Sequence, residues 1–292
     1  MRRALLALAI VLALPLSAPA FVRSRTDAGA CLFWDTRTIP WAMNERGLPG
    51  LGYERAHEAF ARAFRTWEDV GCSDVTFEDR SPTSETRVGH GNGATGDNLM
   101  IFRTRDCDHV VPEDAPCRAE GGCANEFDCW EHGSSVIGVT TTTFFVQTGE
   151  IVDADIEMNA AWFDFTDVDG PPCEHGQTTG CVITDIQNTA THEIGHLLGL
   201  DHSPDRHSTM FASAPRGDLS KRDLGEDDVE GLCFIYPDGG PTARCTEADE
   251  VEAGAGCGCQ GAAGAGDAAL LLAAIALLGR ARSRRGGGPS RG

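Results

Sequence analysis

Positive charge is the scarcest thing in this sequence: 24 lysines and arginines stand against 44 acidic residues, a net charge of −20 over 292 residues. Arg2, Arg3, Arg280, Arg282, Arg284, Arg285 and Arg291 sit at the two ends, so the middle is more acidic still. Such a polyanion makes a poor partner for nucleic acid or an anionic membrane surface. Calcium, or solubility alone, suits it better. Internal repeats are also missing, and no apolar run reaches the ~20 residues that a membrane helix needs. The longest ones, at 4–16 and 268–278, both stop short.

Cysteine, by contrast, is plentiful, at twelve residues. An even set of that size does not stay as idle thiols in a reducing cytosol, so oxidation outside the cell is the natural reading. The N-terminus agrees. Arg2 and Arg3 precede the run at 4–16, and Ala18-Pro19-Ala20 puts small residues where a signal peptidase reads. Residues 1–20 are expected to be a signal peptide, with Phe21 as the mature start. A short membrane anchor is the alternative, disfavoured by the length of the run. A hydrophobic fraction of 41% with 13 Phe and 5 Trp excludes a disordered chain, and 35 Gly implies many turns.

From Pro237 the composition shifts to Gly, Pro, Ala and acid, which is linker chemistry. Cys257-Gly258-Cys259 follows, then small residues, the apolar run 268–278 and the arginine cluster 280–285. That run spans a bilayer only with the Gly/Ala stretch before it, and the arginines would hold its end on the cytoplasmic side. The order of cysteine, apolar helix and arginines resembles the C-terminal sorting tags of myxobacterial surface proteins, in which the cysteine marks the site of cleavage and anchoring. A plain C-terminal anchor helix is the alternative. The expected organisation is a signal peptide at 1–20, one domain at 21–240, a linker at 241–256 and a tag at 257–292.

Within the domain, Ala56, Phe60, Ala63, Phe64 and Trp67 recur at helical spacing, which predicts a helix over 54–70 packed on something flat. Strand-like runs follow at 75–78, 98–103 and 136–145. At 151–159, Val152, Ala154, Ile156 and Met158 alternate with Asp153, Asp155, Glu157 and Asn159. That alternation predicts a half-buried strand, with a sheet edge as its candidate place. The loop-rich stretch 104–133 carries Cys107, Cys117, Cys123 and Cys129 and is expected to be stapled by disulfides.

The chemistry concentrates at 191–203, Thr-His-Glu-Ile-Gly-His-Leu-Leu-Gly-Leu-Asp-His-Ser. On a helix, His192 and His196 leave the same face one turn apart and can share one tetrahedral metal ion. Glu193 lies beside them, placed to reach a water rather than the metal. Ile186, Ala190, Ile194 and Leu197 fall on another face, the core side. Gly199 can end the helix in the left-handed conformation that glycine adopts cheaply, and this turn returns His202 as the third ligand. Three histidines leave zinc one open position, the catalytic rather than the structural arrangement. Five fixed residues at this spacing arise by chance on the order of once in 10^4 such chains.

This long motif resembles the metzincin signature. Ser203 after the third histidine, and Ser208-Thr209-Met210 beyond it, resemble the serine and methionine turn of the matrixins within that clan. The closing segment Leu224-Gly-Glu-Asp227-Asp228-Val-Glu-Gly231-Leu-Cys-Phe-Ile-Tyr236 resembles their last helix, with Val229, Leu232, Cys233 and Tyr236 as its expected apolar stripe and its acids suited to the helix dipole. A weaker likeness extends upstream through Trp41 and Trp67. Three features depart from the clan's patterns. Ala212 stands where an astacin-like tyrosine ligand would be, and no Pro-Arg-Cys-Gly switch occurs. No ligand set for a second, structural zinc is visible, since His90, His109, His132, His175 and His207 are scattered.

The resemblance implies an α+β, zincin-like domain in which a twisted mixed sheet packs on helices. It implies one catalytic zinc on His192, His196 and His202, with Glu193 as general base and later acid, and Met210 in the methionine turn. The activity implied is that of a secreted or surface-displayed, monomeric endopeptidase. Its substrate is a protein segment lying extended along an edge strand, either 151–159 or its neighbour, and residues 211–224 wall the main side-chain pocket. Cys257 and Cys259 carry the implied anchoring. A non-catalytic zinc-containing adhesion module and a hydrolase of cell-wall peptides are the alternatives. The ten cysteines from Cys31 to Cys245 are expected to form mainly disulfides; Cys31 as a latency thiol on the metal is the rival.

Overall fold

In the computed structural model the described residues are 21–91 and 96–245. The expected signal peptide, most of the linker, and the tag with Cys257 and Cys259 lie outside them. Along the chain, β1 (Val22–Arg23) and β2 (Thr38–Met43) precede the helix α1 (Tyr53–Glu68), followed by β3 (Thr76–Asp79) and β4 (Asn98–Arg103). Three helical turns, α2 (Cys107–Val110), α3 (Cys117–Glu120) and α4 (Cys123–Phe127), fill the loop-rich stretch before β5 (Gly138–Phe144) and β6 (Ile151–Asn159). Then come β7 (Phe165–Thr166), β8 (Thr184–Asp185), the helix α5 (Ile186–Leu197), β9 (Leu200–Asp201), a 3-10 turn at Ser220–Arg222 and the helix α6 (Glu226–Ile235). The fold is α+β, as the resemblance implied.

The main sheet runs β3-β2-β4-β6-β5, parallel throughout except for the antiparallel edge strand β5. The stripe of α1 is buried along its length, with Ala56, Phe60 and Trp67 sealed, and it packs against α5. Ile186, Ala190, Ile194 and Leu197 of α5 are sealed in the same core. The last carbonyls of α5, which no helical N–H can reach, find side-chain donors instead. Trp34 Nε1 donates to Leu197 O at 2.8 Å and the Tyr236 hydroxyl to Leu198 O at 2.9 Å.

Two expectations are corrected. β6 is neither half-buried nor at an edge, because it lies between β4 and β5, and its polar face is sealed with its apolar one. Arg103 Nε donates to Glu157 at 2.5 Å, Leu99 N to Asp155 at 2.7 Å, and Asn159 Nδ2 to Val136 O at 2.7 Å. Alternation in sequence records a polar face, and here that face meets protein partners instead of water. In α6 the buried set is Asp227, Asp228, Gly231, Leu232 and Ile235, followed by Tyr236, while Val229 and Cys233 are only partly covered. Of the first-turn acids Glu226 is exposed, while Asp227 and Asp228 are buried, Asp228 meeting hydrogen-bond donors there.

The ten cysteines of the described residues form five bridges: Cys31–Cys245, Cys72–Cys233, Cys107–Cys129, Cys117–Cys123 and Cys173–Cys181. Two of them staple the 104–133 stretch, as its cysteine density predicted. Cys31 is paired and leaves no thiol for the metal.

Candidate metal centre and active site

Helix α5 starts on Asp185, whose carboxylate accepts the N–H of Asn188 at 2.8 Å and also holds Arg222 Nε at 2.7 Å. The helix stops at Leu198, and Gly199 follows at φ +90°. A Cβ at Gly199 would lie 2.5 Å from Leu32 O, so glycine is required there by backbone conformation and by space. The chain then reverses through β9, which pairs with β1, and delivers His202 opposite His192 and His196.

Ligand nitrogens of these three histidines lie within 4.8 Å of one another. His192 Nδ1 meets Thr209 O at 2.7 Å and His196 Nδ1 meets Leu200 O at 2.9 Å. Those carbonyls accept only from N–H, so each Nε2 presents a lone pair. His192 Nε2 is buried with no hydrogen-bond partner, and His196 Nε2 lies 3.2 Å from His202 Nε2. Burial drives the pKa of all three below the usual histidine range, His196 to about 3 and His192 well below 6.5, so the rings are neutral at physiological pH. Three neutral imidazoles turned on one point, one of them otherwise orphaned, form a donor set that fits zinc with a position left open. Among the described residues, His192, His196 and His202 are the group of three or more His, Cys, Asp or Glu side chains placed to hold a metal.

Glu193 points to the neighbouring strand. The Thr140 hydroxyl sits 2.8 Å from Glu193 Oε2 and 3.0 Å from its backbone carbonyl, while a Cβ on Gly138 would lie 2.8 Å from Oε1. β5 thus grips one carboxylate oxygen and leaves room at the other. Burial raises the Glu193 carboxyl to about 7, against the lowering pull of the Thr140 hydroxyl and the Lys221 ammonium. A cation held by the three histidines would draw it down again. Beneath the site, Met210 packs on α5 at Gly195, where a Cβ would collide with its sulfur and press on Trp67 at 3.0 Å. The methionine turn is secured by Ser203 N donating to Met210 O at 2.9 Å, and by Asp228, which accepts from Thr209 N at 2.6 Å and Ser208 Oγ at 2.5 Å.

His192, Glu193, His196, His202 and Met210 are therefore brought together. Thr140, Gly138, Gly195, Asp228 and Lys221 had not been singled out in the sequence as parts of the site. All five stood inside segments already noticed, Gly138 and Thr140 in the run 136–145 and Lys221 in 211–224, but nothing in the sequence showed that these residues reach the helix, since each comes from a distant element. A shallow cleft, partly open to solvent, lies beside His192 and Glu193, lined by Ile137 and Gly138 on the strand side and by Ala212 and Ala214.

A matrixin family profile matches residues 33–237. The chain is similar to Metalloendoproteinase 2-MMP of Arabidopsis thaliana, 29% identical over 184 residues that cover 63% of this chain and 37% of the relative. It is similar to Metalloendoproteinase 1-MMP of the same plant, 28% identical over 206 residues, covering 70% and 44%. Matrix metalloproteinase-15 of Homo sapiens is 28% identical over 199 residues, covering 65% and 23%. The chain spans less than half the length of each of these relatives.

Proposed function

The chain belongs to the matrixin family, and on that footing we propose that it is a zinc-dependent endopeptidase that hydrolyses peptide bonds of extracellular proteins. The observation that carries this reading is the convergence of three neutral imidazoles beside a carboxylate that the adjacent edge strand holds in place. His192, His196 and His202 would hold the zinc, which when bound would supply Lewis-acid polarisation at the scissile carbonyl and the attacking water. Glu193 takes the proton of the attacking water, through the oxygen that Thr140 leaves free, and returns it to the leaving amine. The substrate lies extended along β5, which among the described strands pairs only with β6 and so has one edge open for strand addition.

Glu193→Ala keeps the ligands and the fold and removes the base. The expected result is a full complement of zinc by elemental analysis with casein cleavage reduced by about 10^2 to 10^4. His202→Ala is expected to lose most of the metal. A Glu193→Ala protein that cuts casein at near wild-type rate would sink the mechanism. Zinc retention with no cleavage by the wild type would favour an adhesion module, and cleavage of peptidoglycan but not of unfolded protein would favour a cell-wall hydrolase.

The same reading extends to location: export by the segment 1–20 and retention at the cell surface through Cys257 or Cys259. Support comes from the sequence alone, in the order of cysteine, apolar run and arginines. Fractionation of cells expressing the wild type and a Cys257→Ala, Cys259→Ala double variant tests it. Retention is expected to depend on the cysteines; equal retention with the arginine peptide still attached leaves a plain anchor, and wild type wholly in the medium removes surface display.

A further inference from the structure

Lys221 is 6% exposed, yet among the described residues no carboxylate lies within ion-pair distance of its ammonium. Its place is built rather than incidental. The 3-10 turn that carries it is pinned to α5 by Lys221 N donating to Asn188 Oδ1 at 2.7 Å, and the next residue, Arg222, is clamped to Asp185 at the start of that helix. One of the three ammonium N–H groups goes to Phe211 O. The other near neighbour, His192 Nδ1 at 3.3 Å, carries the proton it donates to Thr209 O and so accepts nothing. Two of its N–H groups thus stay available to a group entering the cleft, and the carboxylates that act on the ammonium electrostatically, Glu193, Asp218 and Asp228, all lie beyond ion-pair distance. Lys221 lines the cleft beside His192 and Glu193, whose facing walls, Ile137, Ala212 and Ala214, are small or apolar.

We propose that Lys221 makes this cleft a receptor for an acidic side chain, so that the enzyme selects glutamate or aspartate at the residue whose amine leaves. The apolar walls take the methylene stem and the ammonium takes the carboxylate, in a charge-assisted hydrogen bond. The residue concerned is the one that supplies the leaving amine because the cleft opens beside Glu193, the group that returns the proton to that amine. Selection must be local, since a chain of net charge −20 repels acidic substrates at a distance.

The inference rests on the endopeptidase reading, and its test separates the two. Four peptides identical but for Glu, Gln, Leu or Lys after the scissile bond are compared by kcat/KM on the zinc-loaded enzyme at about 0.15 M salt. The expected wild-type ratio of Glu to the isosteric Gln is about tenfold or more, falling to about one in Lys221→Met. Each ratio is internal to one protein, so partial loss of folded enzyme cancels. Binding of the Glu and Gln peptides to the zinc-loaded Glu193→Gln protein, followed by calorimetry, reads the same preference without turnover. A wild-type ratio near one, or a preference that survives in Lys221→Met, overturns the proposal and leaves the endopeptidase standing. Cleavage of none of the peptides with tight, Glu-selective binding sinks the endopeptidase reading and upholds the receptor.

Discussion

At the scale of single residues, the polar face of β6 holds a second set of buried charges with no part in the reaction. Asp153 and Asp155 are each 1% exposed and share one site. Asp155 accepts from Gly89 N at 2.5 Å and Leu99 N at 2.7 Å, while one oxygen of Asp153 has no partner. Burial raises Asp153 to about 6 and Asp155 well above the usual carboxylate range, and His90 supplies only a partial counterweight. The folded state thus holds a proton that the unfolded chain releases at about 4. The stability the pair contributes is fully present below that pH and is lost as pH rises through about 6, since ionising both carboxylates in one dry site is unfavourable. Asp153→Asn, permanently neutral, is expected to raise the melting temperature relative to the wild type at about pH 8 and to give no such gain at about pH 4.5. Scanning calorimetry of both proteins in calcium-free buffer decides; a shift of equal size at the two pH values would show that the pair does not titrate. Residue identity also set what was readable in advance. His192, His196 and His202 were legible because a metal demands a fixed spacing on one helix and one turn. Thr140 and Lys221 were not, because their roles depend on which strand and which turn fold back over that helix.

At the scale of elements, the active-site helix is held from three sides. Trp34 and Tyr236 cap its carboxyl end, Trp67 of α1 donates to Thr191 O at 2.9 Å, and the methionine turn supports it at Gly195. The turn itself hangs on α6. Asp228 accepts from Ser208 Oγ, Thr209 N, Met210 N at 3.1 Å and the N-cap N–H of Gly225 at 2.8 Å. In sequence, this aspartate read as an acid suited to the helix dipole; in the fold it closes the floor of the metal site. Alternation misled at β6 for the same reason, since a pattern shows which residues share a face but not whether water or Arg103 lies opposite. Asp228→Ala leaves Ser208 Oγ, Thr209 N and Gly225 N without their acceptor, while Met210 N keeps Ser208 Oγ at 3.0 Å; the loss costs about 3 to 5 kcal/mol of stability. It is expected also to weaken zinc binding, because Thr209 O orients His192. Urea unfolding and a zinc-chelator competition measure the two effects; a variant within about 0.5 kcal/mol of the wild type would mean that the turn stands without α6.

At the scale of the whole molecule, the five disulfides divide by the length of chain they close. Cys107–Cys129, Cys117–Cys123 and Cys173–Cys181 are local, with separations of 22, 6 and 8 residues. Cys31–Cys245 and Cys72–Cys233 close 214 and 161 residues. The long ones tie the first part of the domain to the last, Cys72 just beyond α1 and Cys233 in α6, so that the layer carrying the core stripe and the helix supporting the methionine turn cannot separate. A bridge acts mainly by restricting the unfolded chain, and its contribution grows with the logarithm of the loop. On that scaling the 161-residue loop is worth about 5 kcal/mol and the 6-residue loop about 2 kcal/mol. Replacing both cysteines of the long bridge, Cys72→Ala with Cys233→Ala, is therefore expected to lower the urea midpoint more than Cys117→Ala with Cys123→Ala. The local pair is expected to show mainly in the loop, as faster proteolysis between residues 104 and 133 with the zinc site intact. The reverse order of midpoints would mean that the stapled loop, rather than the tie between the two ends of the domain, governs the stability of the whole.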